Sequence, residues 1–184
     1  MVIDMKLLIA SDIHGSAYYC ERLIERYKEE KPDRLVLLGD CLYHGPRNDL
    51  PKDYNPKKVI ALLNPLKDKI IAVRGNCDAE VDQMVLDFPI MADYEVIDVD
   101  GINIYLTHGH AYNIDKPIPQ SSDIVLYGHT HIPANEVRDN IRYLNPGSVS
   151  IPKNNSRHSY MTYEDKCFKW KDLESKEIYD EYRC

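Results

Sequence analysis

An α/β sandwich, two mixed β-sheets packed together with helices outside, is the fold this sequence predicts. Three observations carry that expectation. The first part of the chain alternates short apolar runs with amphipathic helical stretches. The second part is mostly strands joined by tight turns. Apolar runs in both parts stop at Gly, Asp, Asn or His, the residues a sheet would place where its strands end and ligands gather. With 184 residues there is chain enough for one domain with a full core. Residues 1–184 are read as a single domain, with 1–4 a short leader.

Lys6-Leu7-Leu8-Ile9-Ala10 reads as a buried strand. A loop, Ser11 to Gly15, follows. Ser16 can then cap a helix to about Glu30, with Tyr19, Leu23, Ile24 and Tyr27 on its apolar face. Lys31-Pro32 stops it, because the residue before proline disfavours αR. Residues 35–38 form a second buried strand ended by Gly39-Asp40. The loop over 41–55 is rich in Pro, Asn and Asp, and loops of that length are often functional. Pro56 can open a helix at its first position, running to about Asn64. Residues 70–73 are a third strand, ended by Arg74-Gly75-Asn76-Cys77-Asp78, and a short helix is expected over 79–86.

Residues 94–99 and 102–106 flank Asp100-Gly101, which favours a type I′ hairpin. Thr107-His108-Gly109-His110 ends the second arm. The apolar run 124–127 leads into Gly128-His129-Thr130-His131. A second hairpin turns at Asp139-Asn140, Asn145-Pro146-Gly147-Ser148 forms a turn, and strands over 159–163 and 167–170 close the pattern. The last residues, through Ile178 and Tyr182, carry no assignable pattern.

Net charge is -7 and the pI about 5.5. An acidic protein is a poor partner for nucleic acid or an anionic membrane, although bound cations can reverse the charge locally. Five cysteines, an odd number with no CxxC pair, argue against a disulfide framework and for a reducing cytoplasm. No signal peptide is read ahead of the first strand, and the run 5–10 is too short to cross a bilayer.

His129 and His131 lie two apart, and in an extended segment such residues point to one side. Gly128 lets the backbone turn sharply or approach something closely. Asp12 and His14 repeat the spacing, and Asp40, Asn76 and His108 stand at other strand ends. Carboxylate, amide and imidazole donors suit Mn, Fe, Zn or Ni better than a pure Mg or Ca site. Seven such side chains exceed the needs of one tetrahedral ion, whereas two ions sharing a carboxylate would use them all.

The order DxH, GD, GN, H, GHxH resembles that of the calcineurin-like metallophosphoesterases. Ala10-Ser11-Asp12-Ile13-His14-Gly15, His44-Gly45-Pro46-Arg47-Asn48, Val73-Arg74-Gly75-Asn76-Cys77-Asp78, Thr107-His108-Gly109-His110, Gly128-His129-Thr130-His131 and Asn145-Pro146-Gly147-Ser148-Val149-Ser150 look like its small bacterial phosphodiesterase branch, over about residues 5–152. The resemblance implies the αββα form of the sandwich and two divalent ions per chain, manganese first. By position, Asp12, His14 and His131 would hold one ion and Asn76, His108 and His129 the other, with Asp40 bridging. A hydroxide shared by the ions would attack phosphorus in line, and Arg74 could meet the developing charge. Many relatives carry His after the Asn. Here it is Cys77, a poorer proton donor with an ordinary pKa near ~8.5. That favours diesters whose leaving groups need little help, such as aryl ones.

Each residue has a plainer reading. Arg74 could form a surface ion pair, and Cys77 could be a small buried filler. His44, Arg47 and Asn48 could line a substrate pocket or only shape their loop. His110 is expected to play a supporting role. The expected ligand is a small phosphodiester, not nucleic acid or membrane, and a homodimer is the default assembly. The main rival is a catalytically weak or inactive scaffold of the same fold, like the retromer subunit, which lacks part of the metal set. Every expected ligand is present here.

Overall fold

The structure, a computed structural model, describes residues 5–184. The leader expected at 1–4 lies outside them. Strand β1 (Leu7–Ala10) is buried throughout. A strand apolar on both faces must be covered on both: Leu8 and Ala10 meet the helices, whereas Leu7 and Ile9 meet the second sheet. Helix α1 (Ala17–Glu30) starts where Ser16 Oγ accepts the Tyr19 N–H at 3.3 Å. It stops at Lys31, whose φ of 52° is left-handed, so the residue before Pro32 has left αR as its neighbour requires.

Strand β2 (Arg34–Leu37) is followed by the long loop and by α2 (Pro56–Leu63), capped by Asn55 Oδ1 on the Lys58 N–H at 3.2 Å. A 3-10 helix, Asn64–Lys69, carries the chain into β3 (Ile70–Ala72). Helix α3 (Glu80–Gln83) is one turn, shorter than the 79–86 expected. The Gln83 side chain explains the stop. It donates to the Leu86 and Phe88 carbonyls and accepts the Ile90 N–H, which fixes an irregular turn where helix would continue.

Strands β4 (Tyr94–Val99) and β5 (Ile102–Thr107) form the expected hairpin, with φ of 55° at Asp100 and 79° at Gly101 as a type I′ turn needs. After β6 (Ile124–Leu126), β7 (Ala134–Arg138) and β8 (Ile141–Asn145) turn at Asp139-Asn140, again with both φ positive. Strands β9 (Ser159–Glu164) and β10 (Cys167–Asp172) pair antiparallel. The tail forms β11 (Ile178–Arg183), which the sequence had not revealed. It is an edge strand, exposed at Ile178, Asp180, Glu181 and Arg183. Charge on an edge discourages pairing with other chains, and it also erases the apolar alternation.

Among the described residues there are two sheets, ordered β11-β10-β9-β1-β2-β3 and β4-β5-β6-β8-β7. Both are mixed: β1, β2 and β3 run parallel, as do β5, β6 and β8. Leu7, Ile9, Val36 and Leu38 pack on Ile104, Leu106, Leu126 and Leu144 to form the core between the sheets. Leu23 and Ile24 of α1 and Val59 and Leu63 of α2 cover the outer face of the first sheet. On the second sheet Tyr105, Val125 and Tyr143 pack with Ile114 and Ile118 from the loop after β5.

Candidate metal centre

The loops that follow β1, β2, β3, β5 and β6 bring the seven sequence-expected ligands to one place. Asp12 Oδ1 lies 3.3 Å from His131 Nε2 and 3.5 Å from His14 Nε2, and those two nitrogens are 3.2 Å apart. Asp40 Oδ2 lies 3.6 Å from His14 Nε2 and 3.3 Å from His108 Nε2, between the two halves of the set. Asn76 Oδ1 is 3.0 Å from His108 Nε2, and the His129 ring is 5.1 Å from that of His108.

The imidazoles are oriented by backbone. His14 Nδ1 lies 2.7 Å from the Tyr43 carbonyl, His108 Nδ1 2.6 Å from that of Leu38, and His131 Nδ1 2.6 Å from that of Ile151. A carbonyl only accepts, so each Nδ1 carries the proton and each Nε2 turns inward as a donor atom. The carboxylates are anchored by one oxygen each. Asp12 Oδ2 accepts the His129 N–H at 3.0 Å, and Asp40 Oδ1 accepts the Cys77 N–H at 2.8 Å. The other oxygens face the imidazoles.

These residues fit a divalent cation. Asp12 Oδ1 is buried and has no hydrogen-bond partner, although two imidazole nitrogens stand within 3.5 Å. A buried unpaired carboxylate oxygen is costly. Ligands about 2.1 Å from an ion sit about 3.0–3.4 Å from one another, and Asp12 Oδ1 and the two imidazole nitrogens, 3.2 to 3.5 Å apart, have the spacing of a ligand shell. Asp12, His14 and His131 form one group able to hold an ion, and Asp12, Asp40 and His108 form another.

The charges follow from burial and neighbours. Burial opposes ionisation of Asp12, but the His131 and His14 imidazoles outweigh it and hold the carboxyl well below its usual range. Burial likewise works against a charged His108, yet Asp40 and Asp12 lift its pKa to about 9. His129 goes the other way, pushed down to about 4 by burial and by His108. Burial and then the Asp40 carboxylate push the Cys77 thiol up to about 12.

One geometric expectation is corrected. Residues 129–131 lie beyond the strand and are not an extended segment, with φ of 67° at His129 and 61° at His131. The two side chains diverge, His131 toward His14 and His129 toward His108. Asp12, His14 and Asp40 also take left-handed φ, so five of the seven candidates sit in strained backbone held by surrounding contacts. Gly128 serves close approach: a Cβ there would fall 1.9 Å from Ser11 Oγ and 2.8 Å from Asp12 Oδ2. Gly75 does the same against Asp40 Oδ1 at 2.1 Å.

A cleft of about 420 Å³ opens on the cluster, lined by Arg47, Asn48, Cys77, Thr130 and Lys153 beside the ligands. His44 is not part of its lining; the His44 ring packs edge-on between Tyr43 and Tyr54. Arg74 also stays out of the lining, its Nε donating to the Asp78 carbonyl at 3.4 Å, and it makes no ion pair among the described residues. His110 stands behind His108, ring centroids 5.4 Å apart.

Sequence reasoning missed the braces. Asp78 accepts three backbone N–H groups, from Gly75 at 2.7 Å, Asp40 at 2.8 Å and Cys41 at 2.9 Å. Ser148 Oγ and Ser150 Oγ both donate to the Asp12 carbonyl, at 2.8 and 3.1 Å. Both sets lie in quoted motifs, but nothing in spacing says that these side chains turn to backbone. Lys153 gave no signal at all.

A buried carboxylate–imidazole cluster at the loop edge of a two-sheet sandwich defines a class. Residues 5–166 match the calcineurin-like phosphoesterase superfamily domain, and the chain belongs to that superfamily. It is similar to Phosphodiesterase YfcE of Escherichia coli (strain K12), 50% identical over 157 residues covering 85% of each chain. The solved structure of the E. coli YfcE phosphoesterase superposes with a TM-score of 0.93 and 44% identity, covering 97% of this chain and 98% of that one. Phosphodiesterase MJ0936 of Methanocaldococcus jannaschii is 27% identical over 151 residues, 78% of this chain and 83% of its own. Vacuolar protein sorting 29 of Cryptosporidium parvum shares the fold, with a TM-score of 0.66 and 16% identity over 98% of this chain and 99% of its own.

Proposed function

We propose that this chain is a metal-dependent phosphodiesterase that hydrolyses a small-molecule diester at a dinuclear centre. The observation that carries the reading is the buried, unpartnered Asp12 Oδ1 among inward-turned imidazole nitrogens. Asp12, His14 and His131 would hold one cation, Asn76, His108 and His129 the other, with Asp40 shared. Manganese is the first choice, and Zn, Fe or Ni suit the same donors. Bound there, two cations would supply positive charge to the phosphoryl oxygens and acidify a shared water into the attacking hydroxide.

The chain's own residues do the rest. Backbone carbonyls hold the imidazoles in one tautomer. Arg47 and Lys153 bring positive charge to the cleft, where the non-bridging oxygens of a diester bind. Before any cation binds, burial and the Asp40 carboxylate push the Cys77 thiol up to about 12, and even an ordinary thiol is a poorer acid than imidazolium toward the leaving group. Esters of good leaving groups, aryl ones above all, suit such a site.

A net charge of -7 speaks against nucleic acid as substrate. The five cysteines are free thiols, which supports a cytoplasmic setting. Among the described residues no helix is long and apolar enough to cross a membrane. A homodimer is the default assembly of this reading.

The test is metal removal. Chelated, desalted protein should lose hydrolysis of bis(p-nitrophenyl) phosphate and regain it when Mn, Zn, Fe or Ni is returned singly. Turnover untouched by thorough chelation would remove the mechanism.

A further inference from the structure

A second cavity adjoins the metal cleft, and we propose that it is the subsite for an apolar arm, aryl or bulky alkyl, of the diester. The inference rests on the phosphodiesterase reading and narrows its substrate class. The groove, about 420 Å³, runs between the 42–60 segment and residues 77–85, with Tyr43, Tyr54, Ile60, Val81 and Val85 among its walls. That volume suits a small organic group. Cys77 lines both cavities, so they share a wall.

Backbone bonds tie the groove to the centre. The carbonyl of Tyr43 accepts His14 Nδ1–H at 2.7 Å, and the N–H of Cys77 donates to Asp40 Oδ1 at 2.8 Å. Two residues of the groove wall are therefore fixed by the candidate metal ligands themselves. A phosphoryl group in the cleft lies beside the groove mouth, and an ester arm passing Cys77 enters it.

The lining says what that arm is. Asp82 is its one charged side chain, and Asp82 Oδ2 is already engaged by the Ala79 N–H at 2.9 Å. No cation waits for a second phosphate. Val81 is 65% exposed and Val85 44%, apolar surface that gains by being covered. The tyrosine rings add flat faces for an aryl group.

The experiment measures binding apart from turnover. Dissociation constants of dimethyl, dibutyl and diphenyl phosphate are determined by calorimetry on Zn-loaded protein. Diphenyl phosphate should bind about tenfold or more tighter than dimethyl phosphate. Val81→Asp and Val85→Asp, each at an exposed side chain, should bring that ratio close to one. Val137→Asp, on an exposed valine of β7 away from both cavities, should keep it. Equal affinities in the parent protein, no binding of any diester, or a ratio indifferent to both groove variants would overturn the subsite. A change of mass in Val81→Asp by ultracentrifugation, with the ratio intact, would hand the groove to a second copy of the chain and overturn it equally. Failure of the chelation test would sink the hydrolase reading alone, since the binding ratio still judges the groove.

Discussion

Asp78 ties the loop after β2 to the loop after β3 through three N–H groups, one of them on Asp40 itself. An amide in its place would present an NH₂ to at least one of those donors. Asp78→Asn is expected to cost about 2–3 kcal/mol of stability and to weaken divalent-ion affinity about 10- to 100-fold, though it is no ligand. Urea unfolding and a metal titration measure the two. At Cys77 the expectation concerns chemistry. A thiol is a weaker acid than imidazolium even at its ordinary pKa, and burial beside Asp40 pushes this one further up, so it helps a departing alkoxide less than imidazolium would. Cys77→His should raise kcat on alkyl esters about tenfold while nitrophenyl esters stay within about twofold; an equal change on both would refute that. The seven candidate ligands were legible because donor-rich side chains stood at the ends of apolar runs. Their directions were not. The spacing of His129 and His131 suggested one shared face reaching one place or two adjacent ones; left-handed backbone instead turns them apart, toward the His14 and His108 halves between which the family resemblance divides them.

At the scale of elements, apolar patterning revealed the strands and helices that face the core and hid those that do not. Strand β11 carries charge along an edge, and α3 ends because one glutamine side chain takes over the bonding of the next turn. Nor does patterning show how elements are pinned. The end of α1 is held to the first sheet by Glu30, which lies 2.6 Å from Lys171 Nζ of β10 and 3.3 Å from Lys6 Nζ, and accepts the Tyr160 hydroxyl of β9 at 3.2 Å. Burial works against this carboxylate, but Lys171 and Lys6 outweigh it and hold its pKa below the ordinary 4.5. A depressed acid stabilises the fold above its unfolded pKa, and that contribution fades as pH falls through the folded value. Glu30→Gln should therefore cost about 1–3 kcal/mol at pH 7, and the gap between the two proteins should shrink below pH 4.5. Urea melts at pH 7 and pH 3.5 decide it, and a gap that does not change with pH would contradict the pairing.

In the whole molecule, the candidate ligands come from both sheets: Asp12, His14, Asp40 and Asn76 follow strands of the first, and His108, His129 and His131 follow strands of the second. Cations held between them would clamp the two sheets at their loop edge. In the metal-free protein protons take over part of that task. His108 is lifted to about 9, against burial, by Asp40 and Asp12, and His14 is raised against burial by the same two carboxylates. His129, pushed down to about 4, is already neutral. A raised histidine stabilises the fold below its unfolded pKa of 6.5 and ceases to do so as pH climbs through its folded value. The thermal midpoint of chelated protein should accordingly fall between pH 6.5 and 9. A cation needs the Nε2 lone pairs free, so binding at pH 7.5 should expel about one to two protons per chain. Calorimetric titration in two buffers of different ionisation enthalpy counts them. Saturating metal should also add about 2.7 kcal/mol at a hundredfold excess over Kd. Binding without proton release, or a midpoint indifferent to metal, would mean that the imidazoles of the two sheets do not share a cation.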